Sequence, residues 1–317
     1  MKHLTLNEIA EMLHSRDGFY ILTHRRPDGD TVGCAAALCR GLRSLGKTAF
    51  IYENAQFTPK FRPYLEGLTA DTVPENAIFV SVDVASEGML LYNLPQMESG
   101  VWLSIDHHGR NTEFAEYGFV RAEAAACGEI IMELLERMEV TPDKDIAEAL
   151  YVAVSTDTGC FRYSNTTEST LLCAAKCKAW GADTFSINKT MFMTKRMARW
   201  KLESYLVQTV EFYRGGIVGV CKITLEVQNS LGITEDDIDD ISGFAREIEG
   251  VEIGIMLREV ESGNGKISVR TSPNYDAASI CARLGGGGHA AAAGATVPGG
   301  IEGAKKEILR AIEEELG

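Results

Sequence analysis

Apolar positions in the first half of the chain alternate between short β-rich runs and segments with helical periodicity. The runs that predict strands are FYILTH (19–24), TAFIYE (48–53), AIFVSVDV (77–84) and VWLSIDHH (101–108). Helical patterns cover 30–46, 127–138, 143–155 and 166–180. Strands that alternate with helices are typical of a parallel sheet with crossover helices. We therefore predict an α/β fold, with a parallel sheet and helices on both of its faces.

From about residue 217 the pattern changes. Strands are predicted at IVGVCKIT, VEIGIMLREV and KISVRTS, the last two joined by a Gly-rich hairpin at 262–265. Helices are predicted at 234–248, 274–284 and 301–316. These patterns predict a smaller α+β domain around a mostly antiparallel sheet. The predicted division is a first domain at 1–185, a helical linker at 186–212 and a second domain at 213–317.

The composition of the chain limits the classes of binding partner and the cellular compartment that we expect for it. The chain has 317 residues, of which 45% are hydrophobic and 24% charged, and its net charge is −14. An acidic surface opposes the binding of long duplexes, which depends on many Lys and Arg contacts with phosphate. No apolar segment approaches the roughly 20 residues that span a bilayer, so no membrane partner is expected. The eight cysteines form no disulfide or zinc pattern, and we expect a cytoplasmic protein with reduced thiols.

Four clusters of carboxylate and histidine side chains follow apolar runs in the first domain. They are His24, Asp28 and Asp30 in THRRPDGD, Asp83 in VSVDV, Asp106, His107 and His108 in SIDHH, and Asp157 in VSTDTG. Open α/β sheets bind ligands at the carboxyl ends of their strands, where we predict these clusters to lie. Taken singly, each cluster has a structural explanation as a turn, a helix cap or a surface pair. Their recurrence at equivalent strand ends favours one functional site.

Imidazole and carboxylate ligands in this number suit a pair of divalent cations of intermediate hardness. Mn²⁺ is favoured, with Mg²⁺, Co²⁺ or Fe²⁺ as alternatives, and the absence of cysteine from the clusters argues against structural zinc. Two such ions about 3.5 to 4 Å apart lower the pKa of a shared water, which can then attack a phosphorus atom. No serine or cysteine nucleophile is then required.

The four clusters, in this order, resemble the motifs of the DHH phosphoesterases, a family named after the triplet found here at 106–108. The resemblance covers nearly the whole chain and includes a DHH-associated second domain. The implied ligands are, for one ion, His24, Asp28 and Asp83 and, for the other, Asp30, Asp83, His107 and Asp157. Asp83 would bridge the two ions. The resemblance further implies that His108 contacts the scissile phosphate and that Asp106 orients the histidines.

A second signature of this family is KISVRTS followed by LGGGGHAAAAGA. The resemblance implies substrate binding in the cleft between the domains by Arg270, Thr271, Gly286, Gly287, Gly288 and His289. Arginine can fork onto a phosphate, and glycines let the backbone approach a ligand closely. The alternative is a flexible loop before a helix. Cys34 and Thr271 stand where the family usually has serine, which puts the substrate preference in doubt rather than the chemistry.

The resemblance is greatest to the bacterial nanoRNase and pAp phosphatase subgroup. It implies hydrolysis of short oligoribonucleotides to mononucleotides and of 3′-phosphoadenosine 5′-phosphate (pAp) to AMP, and a homodimer is compatible with it. The alternative is a phosphodiesterase for cyclic dinucleotides or linear pApA. A pyrophosphatase is disfavoured because that family's second domain lacks a Gly-Gly-Gly-Gly-His segment, and a processive exonuclease would need a basic channel. A non-catalytic nucleotide sensor would have no need of both cations.

Overall fold

A computed structural model describes residues 1–90, 100–238 and 241–317 of the chain. The chain divides into two compact units, Met1–Thr194 and Lys195–Gly317. The finer division, with a linker at 186–212, stays a prediction. Within the described ranges, no helix is long and apolar enough to cross a bilayer.

The described residues of the first unit form a seven-stranded sheet whose pairings are parallel. Its strands are β1 (Lys2–His3), β2 (Phe19–Leu22), β3 (Ala49–Tyr52), β4 (Thr69–Ala70), β5 (Ile78–Val82), β6 (Leu103–Asp106) and β7 (Tyr117–Val120). Their order across the sheet is β1-β7-β6-β5-β2-β3-β4. The α-helices are α1 (Leu6–Ser15), α2 (Gly29–Ser44), α3 (Cys127–Arg137), α4 (Lys144–Asp157), α5 (Glu168–Ala179) and α6 (Thr184–Asn188). The predicted parallel α/β fold is confirmed.

Alternate residues of the strands enter two separate buried clusters, as the period of a β-strand requires. Phe19 and Ile21 of β2 pack with buried residues of the helices α1 to α6. Tyr20 and Leu22 pack in a second cluster, whose other described members lie on strands and connecting loops. The strands that form the centre of the sheet are buried on both sides, which explains why they appear in the sequence as nearly continuous apolar runs.

Small residues bring α2 and α4 into close contact. A Cβ added at Gly33 would collide with the backbone of Ala149 and Ala153, and one added at Gly29 would collide with Thr156. The start of α2 therefore lies beside the end of α4. Asp157 was predicted at the end of a strand, and this prediction is wrong because Asp157 is the last residue of α4. The helix predicted at 143–155 is confirmed as α4, and it continues as far as Asp157.

The described residues of the second unit form a six-stranded mixed sheet. Its strands are β8 (Glu211–Tyr213), β9 (Val218–Ile223), β10 (Ile253–Glu259), β11 (Asn264–Thr271), β12 (Gly287–His289) and β13 (Ala292–Pro298). In the order β12-β13-β11-β10-β9-β8, the β9–β10 pair is parallel and the other pairs are antiparallel. The α-helices are α7 (Met197–Thr209), α8 (Leu225–Leu231), α9 (Ala277–Ala282) and α10 (Gly300–Leu316). The predicted α+β domain and its β10–β11 hairpin are confirmed.

The helix predicted at 234–248 is wrong in its described part. A 3₁₀ turn covers Glu235–Asp237 and a 3₁₀ helix covers Ile241–Glu247, while residues 239 and 240 lie outside the described residues. Arg199 Nη1 donates to the carbonyl oxygen of Asp237 at 2.7 Å. In an α-helix this oxygen would accept from the amide four residues later. Here a side chain distant in the sequence donates to this oxygen instead.

Candidate metal centre

Three of the four polar clusters lie at the carboxyl edge of the parallel sheet. His24 follows β2, Asp83 follows β5, and the triplet at 106–108 begins with the last residue of β6. These strands are neighbours, in the order β6-β5-β2. Parallel strands end at the same edge, so the three clusters converge there. Asp157 reaches the same site from the end of α4.

The Pro-Asp-Gly-Asp turn begins α2 and positions Asp28. Asp28 is the N-cap residue, and its Oδ1 accepts hydrogen bonds from the amides of Asp30 at 3.0 Å and Thr31 at 3.2 Å. Aspartate is favoured at this position because its carboxylate accepts the first free amides of a helix. The same Oδ1 lies 3.6 Å from His24 Nε2, and the side chain remains half exposed.

Asp30 is buried and bound by donors of two helices. The amides of Cys127 and Gly128, at the start of α3, donate to its Oδ2 and Oδ1 at 2.6 Å and 3.0 Å. The thiol of Cys34 donates to Oδ1 at 3.2 Å. A helix N-terminus stabilises a carboxylate, so α3 fixes Asp30 in place. The sequence analysis missed these amide contacts, because backbone donors leave no signal in the side-chain pattern.

Asp83 lies at the centre of the cluster. Its Oδ2 lies 3.7 Å from His24 Nε2, and its Oδ1 lies 3.4 Å from His107 Nε2. Its φ of 58° is uncommon for residues other than glycine, asparagine and aspartate. Oδ1 is buried and accepts no hydrogen bond from the part of the chain that the structure describes. A buried oxygen without a donor requires an explanation, and a cation between the side chains would supply one.

In His24 and in His107, one ring nitrogen contacts a backbone carbonyl oxygen and the other faces the carboxylates of the cluster. Nδ1 of His24 contacts the Arg25 carbonyl at 2.8 Å, and Nδ1 of His107 contacts the Ala124 carbonyl at 3.0 Å. Nε2 of His107 lies 3.4 to 3.8 Å from oxygens of three carboxylates. A backbone partner that fixes the ring and its tautomer is typical of metal-ligating histidines.

Asp106 forms an acceptor network behind the cluster. Its Oδ1 accepts from the His107 amide at 2.8 Å and from His108 Nδ1 at 2.7 Å, and its Oδ2 accepts from Asn111 Nδ2 at 2.7 Å. Burial opposes ionisation, but the hydrogen bond and charge of His108 outweigh it and lower the pKa of Asp106. The structure thus joins Asp106 to both histidines of the triplet. Asn111 was missed, because a lone asparagine in a loop has many equivalent explanations.

The carboxylates raise one another's pKa when no cation neutralises them. Burial and the charge of Asp83 raise the pKa of Asp30 to about 8, and burial and the charge of Asp30 raise that of Asp157 to about 7. Burial also raises the pKa of Asp83 to about 6. Burial disfavours the protonated form of His107, but the Asp83 carboxylate 3.4 Å away and the neighbouring carboxylates of Asp30 and Asp157 outweigh it and raise the pKa to about 11. The cluster therefore favours positive charge in its centre.

Potential ligand atoms form three groups among the described residues, each with its atoms within 4.8 Å of one another. The groups are His24, Asp28 and Asp83; Asp30, His107 and Asp157; and Asp83, His107 and His108. Two of the groups share Asp83, and two share His107. Oxygen and imidazole donors with an unsatisfied carboxylate oxygen at the centre fit divalent cations. The six residues predicted as ligands from the sequence are brought together here, and their role as ligands stays a prediction.

Comparison with known proteins gives the family. The model of the DHH family, N-terminal domain, matches residues 18–154, and the model of the DHHA1 domain matches residues 214–317. A protein of Thermus thermophilus named bifunctional oligoribonuclease and PAP phosphatase NrnA is 32% identical over 97% of this chain and 93% of its own length. The chain belongs to the DHH phosphoesterase family. The prediction that it is a phosphoester hydrolase is confirmed at this level.

Other proteins resemble the chain more distantly. The cyclic-di-AMP phosphodiesterase GdpP of Geobacillus thermodenitrificans is 24% identical over 95% of this chain, which covers 48% of that protein. The crystal structure of an exopolyphosphatase-related protein from Bacteroides fragilis has a TM-score of 0.87 over 98% of this chain and 96% of that chain, with 22% identity. This second likeness supports the shared fold alone.

The residues predicted to bind substrate lie in the DHHA1 unit. Arg270 and Thr271 end β11, Gly286 precedes β12, and Gly287, Gly288 and His289 form β12. The Thr271 hydroxyl lies 2.8 Å from the Ala290 carbonyl oxygen, so this side chain connects β11 to the β12–β13 hairpin. His289 is exposed on that hairpin. The role of these six residues in substrate binding stays a prediction.

Gly287 and Gly288 of the glycine segment lie in β12, and the segment leads into the strand β13 rather than into a helix. A Cβ added at Gly286 or at Gly288 would collide with the backbone of β13. Gly288 also has a φ of 151°, which is strained for other residues. Close packing of β12 on β13 is therefore one reason for the glycines, and it applies whether or not a ligand binds to them.

Proposed function

We propose that this chain is a two-metal phosphoesterase that hydrolyses short oligoribonucleotides to mononucleotides and pAp to AMP. The observation that carries the proposal is the position of Asp83, whose two carboxylate oxygens face the imidazoles of different ligand groups. Support for the substrate class comes from the Thermus thermophilus relative, which is named for both activities and resembles the chain over nearly its whole length.

In this proposal Asp83 would serve as a ligand in both cation sites. His24 and Asp28 complete one set, and Asp30, His107 and Asp157 complete the other. When bound, two divalent cations lower the pKa of an attacking water and neutralise charge on the phosphate. Mn²⁺ is the preferred ion for this mixture of carboxylates and imidazoles, with Mg²⁺, Co²⁺ or Fe²⁺ as alternatives.

His108 is proposed to contact the scissile phosphate. Its Nδ1 donates to Asp106 at 2.7 Å, which leaves Nε2 as the ring atom available to a substrate. The hydrogen bond to Asp106 raises the pKa of His108 and so favours the protonated ring. A protonated Nε2 would donate to a phosphate oxygen or to the leaving oxygen, where negative charge develops. The side chain of His108 is more exposed than that of His107, which suits contact with a ligand.

A phosphodiesterase for cyclic dinucleotides or pApA is the second candidate. Two relatives named cyclic-di-AMP phosphodiesterases match the chain over about 95% of its length, although it covers only about half of each. The same cations and the same histidine would serve that reaction. We keep a cytoplasmic location and a homodimer as further predictions.

Turnover of five substrates with Mn²⁺ tests the proposal. The panel contains pAp, a ribodinucleotide, a five-residue RNA, cyclic di-AMP and pyrophosphate, and the control is Asp83→Asn. We expect pAp and the dinucleotide to be hydrolysed fastest, and the control to be inactive on both. Fastest hydrolysis of cyclic di-AMP would favour the second candidate. Binding of nucleotides without turnover of any substrate would indicate a sensor and would reject the proposed function.

A further inference from the structure

A loop with an unusual backbone follows Asp157. Gly159, Cys160 and Phe161 are consecutive left-handed residues, with φ angles of 55°, 59° and 63°. Residues with a Cβ rarely adopt this conformation, and strain of this kind is concentrated at binding and catalytic sites. We call residues 158–165 the Asp157 loop.

The Asp157 loop is fixed by hydrogen bonds at both of its ends. The Thr158 carbonyl accepts from the amides of Arg162 and Tyr163, both at 3.0 Å. Asn165 Nδ2 donates to the carbonyl of Asp157 at 3.1 Å and to that of Ala125 at 3.2 Å. Because these contacts stabilise the strained backbone, Arg162 and Tyr163 are presented on a defined support beside Asp157.

The two aromatic side chains of the loop lie in different environments. Phe161 packs against Tyr151, with ring centroids 5.9 Å apart. Tyr163 is 57% exposed, and the hydroxyl end of its ring lies so close to Gly159 that a Cβ there would collide with it. Gly159 is two residues beyond Asp157, and two residues span at most about 7 Å. An exposed aromatic ring therefore lies close to the backbone of Asp157, whose side chain belongs to the carboxylate cluster.

Arg162 adds a positive charge to the same loop. Its Nε donates to the Gly159 carbonyl at 2.6 Å. Among the described residues, no hydrogen bond or ion pair engages its terminal nitrogens. An aromatic ring beside a guanidinium is a combination that binds nucleotides, because the ring stacks on a base and the guanidinium pairs with phosphate.

We propose that Tyr163 stacks on the nucleobase of the nucleotide whose phosphate is hydrolysed, and that Arg162 contacts a phosphate of the same nucleotide. This inference rests on the proposed function and adds the base as a part of the substrate that the enzyme binds. Stacking tolerates any base, so the subsite distinguishes nucleotides from base-free phosphates rather than one base from another.

The test compares pAp with ribose 3′,5′-bisphosphate, which keeps the sugar and both phosphates but lacks the base. Kinetics with Mn²⁺ are measured for the wild type, Tyr163→Ala, Tyr163→Phe and the matched control Phe185→Ala, which removes another exposed aromatic side chain of the same unit. Tyr163→Ala is expected to raise KM for pAp roughly five- to a hundred-fold and to leave KM for the base-free substrate unchanged. Tyr163→Phe and the control are expected to behave as the wild type.

Unchanged kinetics of Tyr163→Ala, or equal losses on both substrates, would overturn the subsite. If the wild type hydrolyses neither substrate, the proposed function fails, and calorimetric titration of AMP and ribose 5-phosphate into the Mn²⁺-loaded protein decides the subsite separately. The proposal then requires tighter binding of AMP by the wild type and no such preference in Tyr163→Ala. Equal affinity of the wild type for the two ligands would overturn it.

Discussion

The substitution Asp83→Asn is expected to stabilise the metal-free protein and, at the same time, to abolish hydrolysis. Asparagine keeps the shape of the side chain and tolerates the φ of 58°, but it carries no charge. Burial and the charge of Asp28 outweigh the attraction of His107 and raise the pKa of Asp83 from 3.8 to about 6. Above pH 6 the ionised carboxylate is therefore less favourable in the folded state than in the unfolded chain.

The size of the stabilisation follows from that difference in pKa. At about 1.4 kcal/mol for each pKa unit, the asparagine variant gains about 3 kcal/mol in free energy of unfolding above pH 7. For a unit of the size of Met1–Thr194, this gain raises the melting temperature by roughly 6 to 12 °C. Alanine would add backbone strain at the left-handed position, so Asp83→Ala measures two effects together.

Melting curves at pH 8 in EDTA and in Mn²⁺ test this reasoning, together with hydrolysis of pAp. In EDTA the variant should melt above the wild type. In Mn²⁺ the order should reverse, because the wild type is stabilised by the bound ions. Hydrolysis should fall more than about a hundred-fold, since loss of an outer partner of a metal ligand alone costs 10- to 100-fold.

Asp106→Asn is the control and should be destabilised in both media, because the pKa of Asp106 is lowered in the folded protein. An Asp83→Asn variant that melts below the wild type in EDTA, or keeps a tenth of the activity, would refute the reasoning.

Three further outcomes are expected. Without metal, the free energy of unfolding should fall as the pH rises from about 6 to about 9. The pKa values of Asp30 and Asp157 are raised, so the folded protein holds protons that the unfolded chain has already released. A melting temperature in EDTA that does not change with pH would contradict this. Cys34→Val should weaken Mn²⁺ affinity about ten-fold by removing a donor to Asp30, whereas Cys34→Ser should bind as the wild type does; equal affinities in calorimetry would exclude this role. His289→Ala should raise KM or lower kcat with unchanged metal content, and unaltered kinetics would reject its assignment to the substrate.

The sequence by itself determined the class of fold and the residues of the candidate site. Buried parallel strands appear as continuous apolar runs, and His24, Asp83 and the triplet at 106–108 come directly after such runs, so their convergence follows from the geometry of a parallel sheet. The identity of the side chains then indicates the chemistry, because hard oxygen and imidazole donors select divalent cations. These inferences depend on local patterns alone.

Contacts between distant parts of the chain were decided only by the tertiary structure. Asp157 belongs to a helix, and its place in the site depends on the close contact of α2 with α4 at Gly29 and Gly33. The amides that fix Asp30 come from α3, almost a hundred residues further along. In place of the helix predicted at 234–248 the described residues form two 3₁₀ segments, and Arg199 donates to the carbonyl of Asp237 at the end of the first. Periodicity reports how each segment is buried, whereas hydrogen bonds between segments depend on which of them become neighbours.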